Sequence, residues 1–145
     1  MRGEYVAFRT RMEGHPVLEG RVDTAVRFSD GGAAVRDNYV VVKPAAPDML
    51  RDDRYLVVQR SGGKRRFTWD VRVVATSADG VLLLGESDIE QMVGHVLSVP
   101  GRRCEPIELV QGVEEGFEFD RTARLHYTVL SFRFWSRPGD EMGES

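Results

Sequence analysis

The sequence predicts an α+β domain in which a mainly antiparallel sheet of about four to six strands carries two α-helices packed on one face. Three observations support this fold class: strand-like runs of alternating or β-branched apolar residues, a hairpin signal between two of them, and two segments with helical periodicity. The length of 145 residues fits one domain. We expect that domain to span residues 1–137, followed by a flexible polar tail over residues 138–145.

The composition is that of an ordinary globular protein, with 41% hydrophobic and 30% charged residues. A net charge of −3 argues against a broad nucleic-acid-binding face, because such faces carry a strong basic excess. A lone cysteine, Cys104, cannot form an internal disulfide and fits a reducing compartment. No apolar run approaches the roughly 20 residues of a membrane span, and we expect synthesis in the cytoplasm without membrane insertion.

The first helix is predicted at the start of the chain, where Tyr5, Phe8 and Met12 recur at helical spacing. Arginines and glutamates occupy other positions of this segment, and Gly14 ends the pattern. A strand is expected within residues 21–28, since Pro16 and Gly20 exclude a longer element before it.

The next segments alternate between loop and strand. Residues 29–37 are small and polar, which is typical of a loop. Residues 38–43 are rich in β-branched side chains and are followed by Pro44, which indicates a buried strand. Residues 44–53 are then predicted to form an extended loop.

The middle of the chain, residues 54–77, carries the clearest pattern. Two apolar runs are separated by the turn-forming sequence SGGK at 61–64, which predicts a hairpin. In the second strand, alternate apolar residues share one face: Phe67, Trp69, Val71 and Val73. The residues between them are Thr68, Asp70 and Arg72, so one face is expected to be buried and the other exposed.

A second helix is predicted over residues 85–99. Ser87 and Glu90 have the spacing of a capping box. The apolar stripe of this helix consists of Ile89, Met92, Val93, Val96 and Leu97. The preceding VLLL at 81–84 fits either a short strand or an early helical turn, and residues 106–111 are predicted to form a strand.

The last strand, within residues 114–135, has apolar side chains on both faces. One face carries Leu125, Tyr127, Val129 and Trp135. The other face carries Leu130, Phe132 and Phe134. Helices on one side and a neighbouring subunit on the other would explain this pattern, and so would a closed barrel or a sandwich.

Catalytic signatures are weak. Cys104 with His95 and His126 is the one combination that suggests a nucleophile and a base, but the three are scattered and no protease-type motif surrounds the cysteine. A structural cysteine is therefore the favoured interpretation, and we expect a protein that is not an enzyme.

Metal and cofactor signatures are also weak. Asp52 with Asp53, and Glu114 with Glu115, are adjacent pairs that point to opposite faces when they lie on a strand. The glycine pairs lack the Lys-Ser/Thr signature of a phosphate-binding loop. We expect neither a metal nor a cofactor.

Two short basic clusters remain, GKRRF at 63–67 and GRR at 101–103. Each fits either a solvated turn or a contact with an acidic partner surface. Together with the acidic pairs and the apolar last strand they give the candidate interface residues, which are Lys64, Arg65, Arg66, Arg102, Arg103, Asp52, Asp53, Glu114, Glu115, Phe132 and Phe134.

Several segments resemble a known family. NYVVVKP (38–44), FTWDVRVVATS (67–77), VPGRRCEPIELV (99–110) and VEEGFEFDRTARLHYTVLSFRF (113–134) are similar to the tail terminator proteins of long-tailed bacteriophages, the lambda-type family, and more closely to their relatives in phages of actinobacteria. The likeness covers about residues 38–137. ADGVLLLGE (78–86) departs from the family pattern, which leaves a head-to-tail connector or stopper of the same neck region as the alternative.

The resemblance implies a structural virion protein without catalytic activity. Six copies would form a ring on the last disc of the tail tube, end tube polymerisation and offer a surface to the head connector. The implied partners are further copies of this chain, the major tail tube protein and the head-tail connector or stopper protein. Genomic DNA would pass through the lumen without sequence-specific binding.

Overall fold

The computed structural model describes residues 2–23, 37–49, 64–111, 118–120 and 124–139. In chain order the elements are α1 (Arg2–Glu13), β1 (Val22–Asp23), β2 (Tyr39–Lys43), β3 (Asp48–Met49), β4 (Arg65–Ala75), α2 (Ala78–Met92), β5 (Arg102–Cys104), β6 (Glu108–Gln111), β7 (Glu118–Asp120) and β8 (Leu125–Pro138). The predicted α+β class is confirmed. The first strand of the predicted hairpin and its turn lie outside the described residues, as do Asp52, Asp53, Glu114 and Glu115.

The sheet is built around β4 and β8, which pair antiparallel from Arg65 opposite Ser136 to Ala75 opposite His126. The main hydrogen-bonded path runs β1-β2-β4-β8-β5, with β3 beside β4 and with β6 and β7 beside β8. All of these pairs are antiparallel except β1 with β2. The sheet is therefore mixed, although mainly antiparallel as predicted.

The core lies on one face of this sheet, here called the inner face. Alternation along β4 directs Phe67, Trp69, Val71 and Val73 inward, as the sequence predicts, and all four are fully buried. From β8 they are joined by Leu130, Phe132 and Phe134. Full burial of each such side chain contributes about 1.5–3 kcal/mol. Phe132 and Phe134 were expected at an interface, but both are fully buried and belong to the protomer's own core.

Helix α1 covers the inner face with Phe8 and Met12, both fully buried. The Phe8 ring makes an edge contact with Trp69 at 5.2 Å between centroids and stacks on Phe134 at 6.1 Å. The helix ends at Glu13, and the Gly14 N–H donates to the Arg11 carbonyl at 3.1 Å, so the predicted stop is confirmed.

Helix α2 begins seven residues before its predicted start at Gly85. Ser77 is the N-cap: its hydroxyl accepts a hydrogen bond from the Gly80 N–H at 3.0 Å. The prediction of Ser87 as the cap is wrong, because Ser87 lies inside the helix and donates to the Leu83 carbonyl at 2.7 Å. The ambiguous VLLL segment is therefore helical.

The end of α2 also differs from the prediction. The helix stops at Met92, and Gly94 adopts a φ of 84°, a left-handed conformation that glycine tolerates without steric cost. Val96 and Leu97 consequently lie beyond the helix. Leu97 still joins the core, whereas Val96 is exposed.

Several strands differ from their predicted extents. The turn expected after the helix contains β5, and the strand expected at 106–111 starts at Glu108. A two-residue strand, β3, lies in the predicted 44–53 loop. Strand β1 confirms Val22–Asp23 of the predicted 21–28 strand, and residues 24–28 lie outside the described part. Pro138, predicted to begin the tail, ends β8, and residues 140–145 lie outside the described part.

The opposite face of the sheet, here called the outer face, holds a small second cluster. Tyr39, Val41, Val74 and Leu125 are buried there, with Tyr127 packed against them. Apolar residues on both faces of β8 thus belong to two clusters of one protomer. The partly exposed remainder of this strand face is Val129 and Trp135, among polar neighbours.

A buried carboxyl group lies on the inner side of α2. Asp88 is fully buried, and neither of its oxygens has a hydrogen-bond partner within the part of the chain that the structure describes. Burial raises the pKa of Asp88 well above its usual range. The charged form therefore opposes folding at neutral pH.

We expect Asp88→Asn to raise the free energy of unfolding at pH 7.5 by about 1–3 kcal/mol. Because the folded-state pKa of Asp88 is raised, the folded chain holds a proton that the unfolded chain has lost above about pH 4. The parent protein should lose stability as the pH rises from about 4 towards that raised pKa, and the variant should lose less. Urea unfolding across this range measures both effects.

Glu86→Gln is the matched control, since Glu86 is exposed on the same helix. Its effect should stay within about 0.5 kcal/mol at every pH. A parent-like stability profile for Asp88→Asn would contradict the role assigned to the buried carboxyl.

Candidate functional site: a basic patch opposite an acidic helix

The two basic clusters of the sequence meet at one end of the sheet. Lys64–Arg66 leads into β4, and Arg102–Cys104 is β5. Strand β8 lies between them, with Arg66 opposite Trp135 and Arg103 opposite Arg137. Adjacent strands are about 4.8 Å apart, so the backbones of the two clusters are about 10 Å apart.

The residues at this end that lie on the outer face form what we call the basic patch. Alternation along β8 places Arg133, Trp135 and Arg137 on the outer face, between the inward Phe134 and Ser136. The same alternation places Arg66 and Arg103 beside them. The basic patch comprises Lys64, Arg66, Arg103, Arg133, Trp135 and Arg137.

Trp135 is the centre of the basic patch. The Lys64 ammonium lies 4.5 Å from the centroid of its ring, and the Arg66 guanidinium carbon lies at 5.7 Å. Each such cation–π contact contributes about 0.5–1 kcal/mol at an exposed site. The partly exposed indole therefore organises flexible cations into a defined surface.

Two carboxylates border the basic patch. Glu105 lies 3.6 Å from the Lys64 ammonium, and Glu108 lies 3.2 Å from Arg133 Nε. Both pairs are partly exposed, so each contributes at most about 1 kcal/mol. Strand β3 also places Asp48 opposite Arg66 in the sheet. Among the described residues five basic residues thus lie beside three acidic ones, and the surface is net positive in a chain of net charge −3.

Arg102 is not part of this surface, although it was a candidate interface residue. Its guanidinium donates from Nε to Ser136 Oγ at 2.9 Å and from Nη2 to the Ser136 carbonyl at 2.8 Å. Ser136 Oγ in turn donates to Glu4 at 2.8 Å, so these side chains fasten α1 to β5 and β8. Burial and the nearby Arg65 lower the pKa of Arg102.

Glu4 is the buried acid of this network. Burial pushes its pKa up, but hydrogen bonds, including the one from Ser136, outweigh burial, and the pKa of Glu4 is lowered. The folded protein therefore stabilises the ionised carboxylate of Glu4 beneath the basic patch.

Cys104 and His126 do not come together. Cys104 pairs with Ser136, whereas His126 lies ten residues earlier on the same strand, about 33 Å away. The groups that act on the Cys104 thiol are Ser136, Glu4 and Arg102. Burial raises the pKa of Cys104, which disfavours the reactive thiolate.

The described ranges contain no metal-ligand cluster and no membrane-spanning helix. There, no three His, Cys, Asp or Glu residues are grouped as metal ligands. Neither of the two described helices has the length and apolar character to cross a bilayer. An apolar groove of about 630 Å³ lies outside the sheet, between α1 and residues 95–100.

Helix α2 presents the opposite charge. Its buried side carries Val81, Leu84, Asp88 and Met92. Its exposed side carries Asp79, Leu82, Leu83, Glu86 and Glu90, and we call these five residues the acidic helix face. Ala78–Met92 contains no lysine or arginine, and the one basic partner of this face among the described contacts is His15, whose Nε2 lies 2.9 Å from Glu90 Oε1. The sequence did not predict this surface, because the predicted helix began at Gly85 and left out Asp79, Leu82 and Leu83.

The fold and these surfaces define a small α+β domain with oppositely charged faces on its two layers. Neither a protein-family model nor a curated protein matches the sequence. One solved structure that shares the fold is a chain from the "Virion of native gene transfer agent (GTA) particle". The TM-score is 0.67 at 14% identity, and the match covers 91% of this chain and 92% of that chain.

We expect Glu4 to stabilise the folded protein through the network beneath the basic patch. Glu4→Gln should lower the free energy of unfolding by about 1–3 kcal/mol, because it removes the charged acceptor of Ser136 and the counter-ion of Arg102. Glu13→Gln, in the same helix, breaks only the exposed pair with Arg9 and should cost under about 0.5 kcal/mol. Equal effects in urea unfolding would refute a special role for Glu4.

Proposed function

We propose that this chain is a structural protein of a phage-like virion, namely a ring-forming tail terminator. In this role it caps the tail tube, stops tube polymerisation and joins the tail to the head connector. The observation that carries the proposal is the shared fold with a chain of a gene transfer agent virion, which extends over nearly the whole of both chains. The segments that resemble tail terminators support the finer assignment.

The geometry of the described residues supports a role in assembly. A basic patch and an acidic helix face occupy opposite layers of the protomer, so two copies can associate head to tail. Head-to-tail contacts close into a ring when the rotation between copies is a full turn divided by a whole number, with no shift along the axis. The separation of Cys104 from His126 gives no comparable support to an enzyme.

The partners follow from this role. They are further copies of the chain, six in the completed ring, the major tail tube protein and the head-tail connector or stopper protein. Genomic DNA passes through the lumen without sequence-specific binding. The protein works in the neck of the virion and makes or breaks no covalent bond.

The alternative is a connector or stopper of the same neck region. The structural likeness supports this role equally, because the matched chain is one component of a whole virion particle and a connector or stopper is also such a component. Loss of the gene separates the two roles. A missing terminator gives overlong or unjoined tails, whereas a missing stopper gives heads that leak DNA.

Tube growth in vitro tests the terminator role directly. Purified protein added to polymerising tail-tube subunits should bind the growing end and shorten the tubes, because the ring hides the surface on which the next disc assembles. Electron microscopy measures tube length, and sedimentation measures the mass of the free protein. A strict monomer that leaves tube length unchanged would contradict the proposal.

The enzyme alternative has its own test. Cys104→Ala should stop tube growth as well as the parent chain does, since the thiol is buried and belongs to neither charged surface. Its thermal stability reports whether the smaller side chain has loosened that core. A correctly folded Cys104→Ala protein without activity would favour the enzyme instead.

A further inference from the structure

We propose that the basic patch of one copy docks on the acidic helix face of the next copy, and that this contact closes the ring. The inference deepens the proposed function, on which it rests, by naming the two surfaces that meet. The contact is heterologous, because the basic patch and the acidic helix face are different surfaces of the same chain.

The two surfaces lie on opposite sides of the protomer. The basic patch is on the outer face of the sheet. Helix α2 belongs to the layer on the inner face, where Val81, Leu84 and Met92 enter the core. The acidic helix face therefore points away from the sheet. One copy can thus contact two neighbours at once, as every member of a ring must.

The dimensions of the two surfaces match. From Arg133 to Arg137 the basic patch extends about 14 Å along β8. From Asp79 to Glu90 the acidic helix face extends about 16 Å along α2. Glu86 and Glu90 lie one turn apart on the same side of the helix, close to the spacing of alternate residues on β8.

The chemistry of the surfaces also matches. Exposed arginines on the basic patch can form charge-assisted hydrogen bonds with the α2 carboxylates. Leu82 and Leu83 are 38% and 57% exposed, and the Trp135 indole offers an apolar counterpart for them. Tryptophan and arginine are the side chains most enriched at the centres of protein interfaces.

Double-stranded DNA is the competing ligand for a basic patch. It would leave the exposed leucines of α2 uncovered, and it would bring phosphates towards Glu105 and Glu108. The chain carries a net charge of −3, so the protein as a whole repels a polyanion. A second copy of this chain satisfies both the basic patch and the acidic helix face, and DNA satisfies only the first.

Charge reversal tests the contact. The patch variant carries Arg103→Glu with Arg137→Glu, and the helix variant carries Glu86→Lys with Glu90→Lys. Each variant alone should associate with itself about 10- to 100-fold more weakly than the parent, because like charges then meet. Mixed in equal amounts, the two should recover parent-like rings in which they alternate. Native mass spectrometry reads both ring size and composition.

The matched control carries Arg2→Glu with Arg21→Glu, two exposed sites outside both surfaces. It has the same net charge as the patch variant and should form rings like the parent. Circular dichroism melting identifies any variant that fails to fold, and the neutral pair Arg103→Gln with Arg137→Gln then replaces the patch variant. That pair should show a smaller loss in the same direction.

Several results would overturn the contact. Parent-like rings from either single variant, or a mixture no better than its components, would exclude it. A patch variant that keeps its rings but loses retention of double-stranded DNA would assign the basic patch to DNA. A different result would contradict the proposed function alone. If rings depend on both surfaces but leave tube growth unchanged, the contact between copies is supported and the terminator role is excluded.

Discussion

The pairing of β4 with β8 is the constraint on which the rest of the structure depends. It extends over the whole of β4 and places the inward aromatics of both strands in one layer, where α1 adds Phe8. The same register directs the intervening residues outward. The core and the basic patch are therefore two consequences of a single strand pairing, and a shift by one residue would exchange them.

The polar network at the end of the sheet lies between the core and the basic patch. Glu4, Ser136 and Arg102 connect the first helix to the last strand beneath the surface that carries Trp135. Buried hydrogen-bonded charges of this kind fix one arrangement more than they add net stability. In the proposed contact between copies, a fixed arrangement of surface charges is itself functional, because the facing charges must match in position.

The sequence predicted those parts of the fold that depend on local residue patterns. Alternation gave the buried face of β4, and the spacing of Phe8 and Met12 gave α1, since both depend on neighbouring residues only. The predicted cap of α2 was Ser87 and not Ser77, because the glycines of that segment weakened the helical signal at its true start. The meeting of the two basic clusters depends on the long-range pairing of β5 with β8, which no local pattern encodes.

The proposed role of this fold is to bind copies of itself at the end of a tail tube. Electron cryomicroscopy of tail tubes capped with the purified protein tests it most directly. The account predicts a closed ring at one tube end, with the outer sheet face of each copy against α2 of the next. Isolated copies scattered along the tube wall, or bare tube ends, would contradict it.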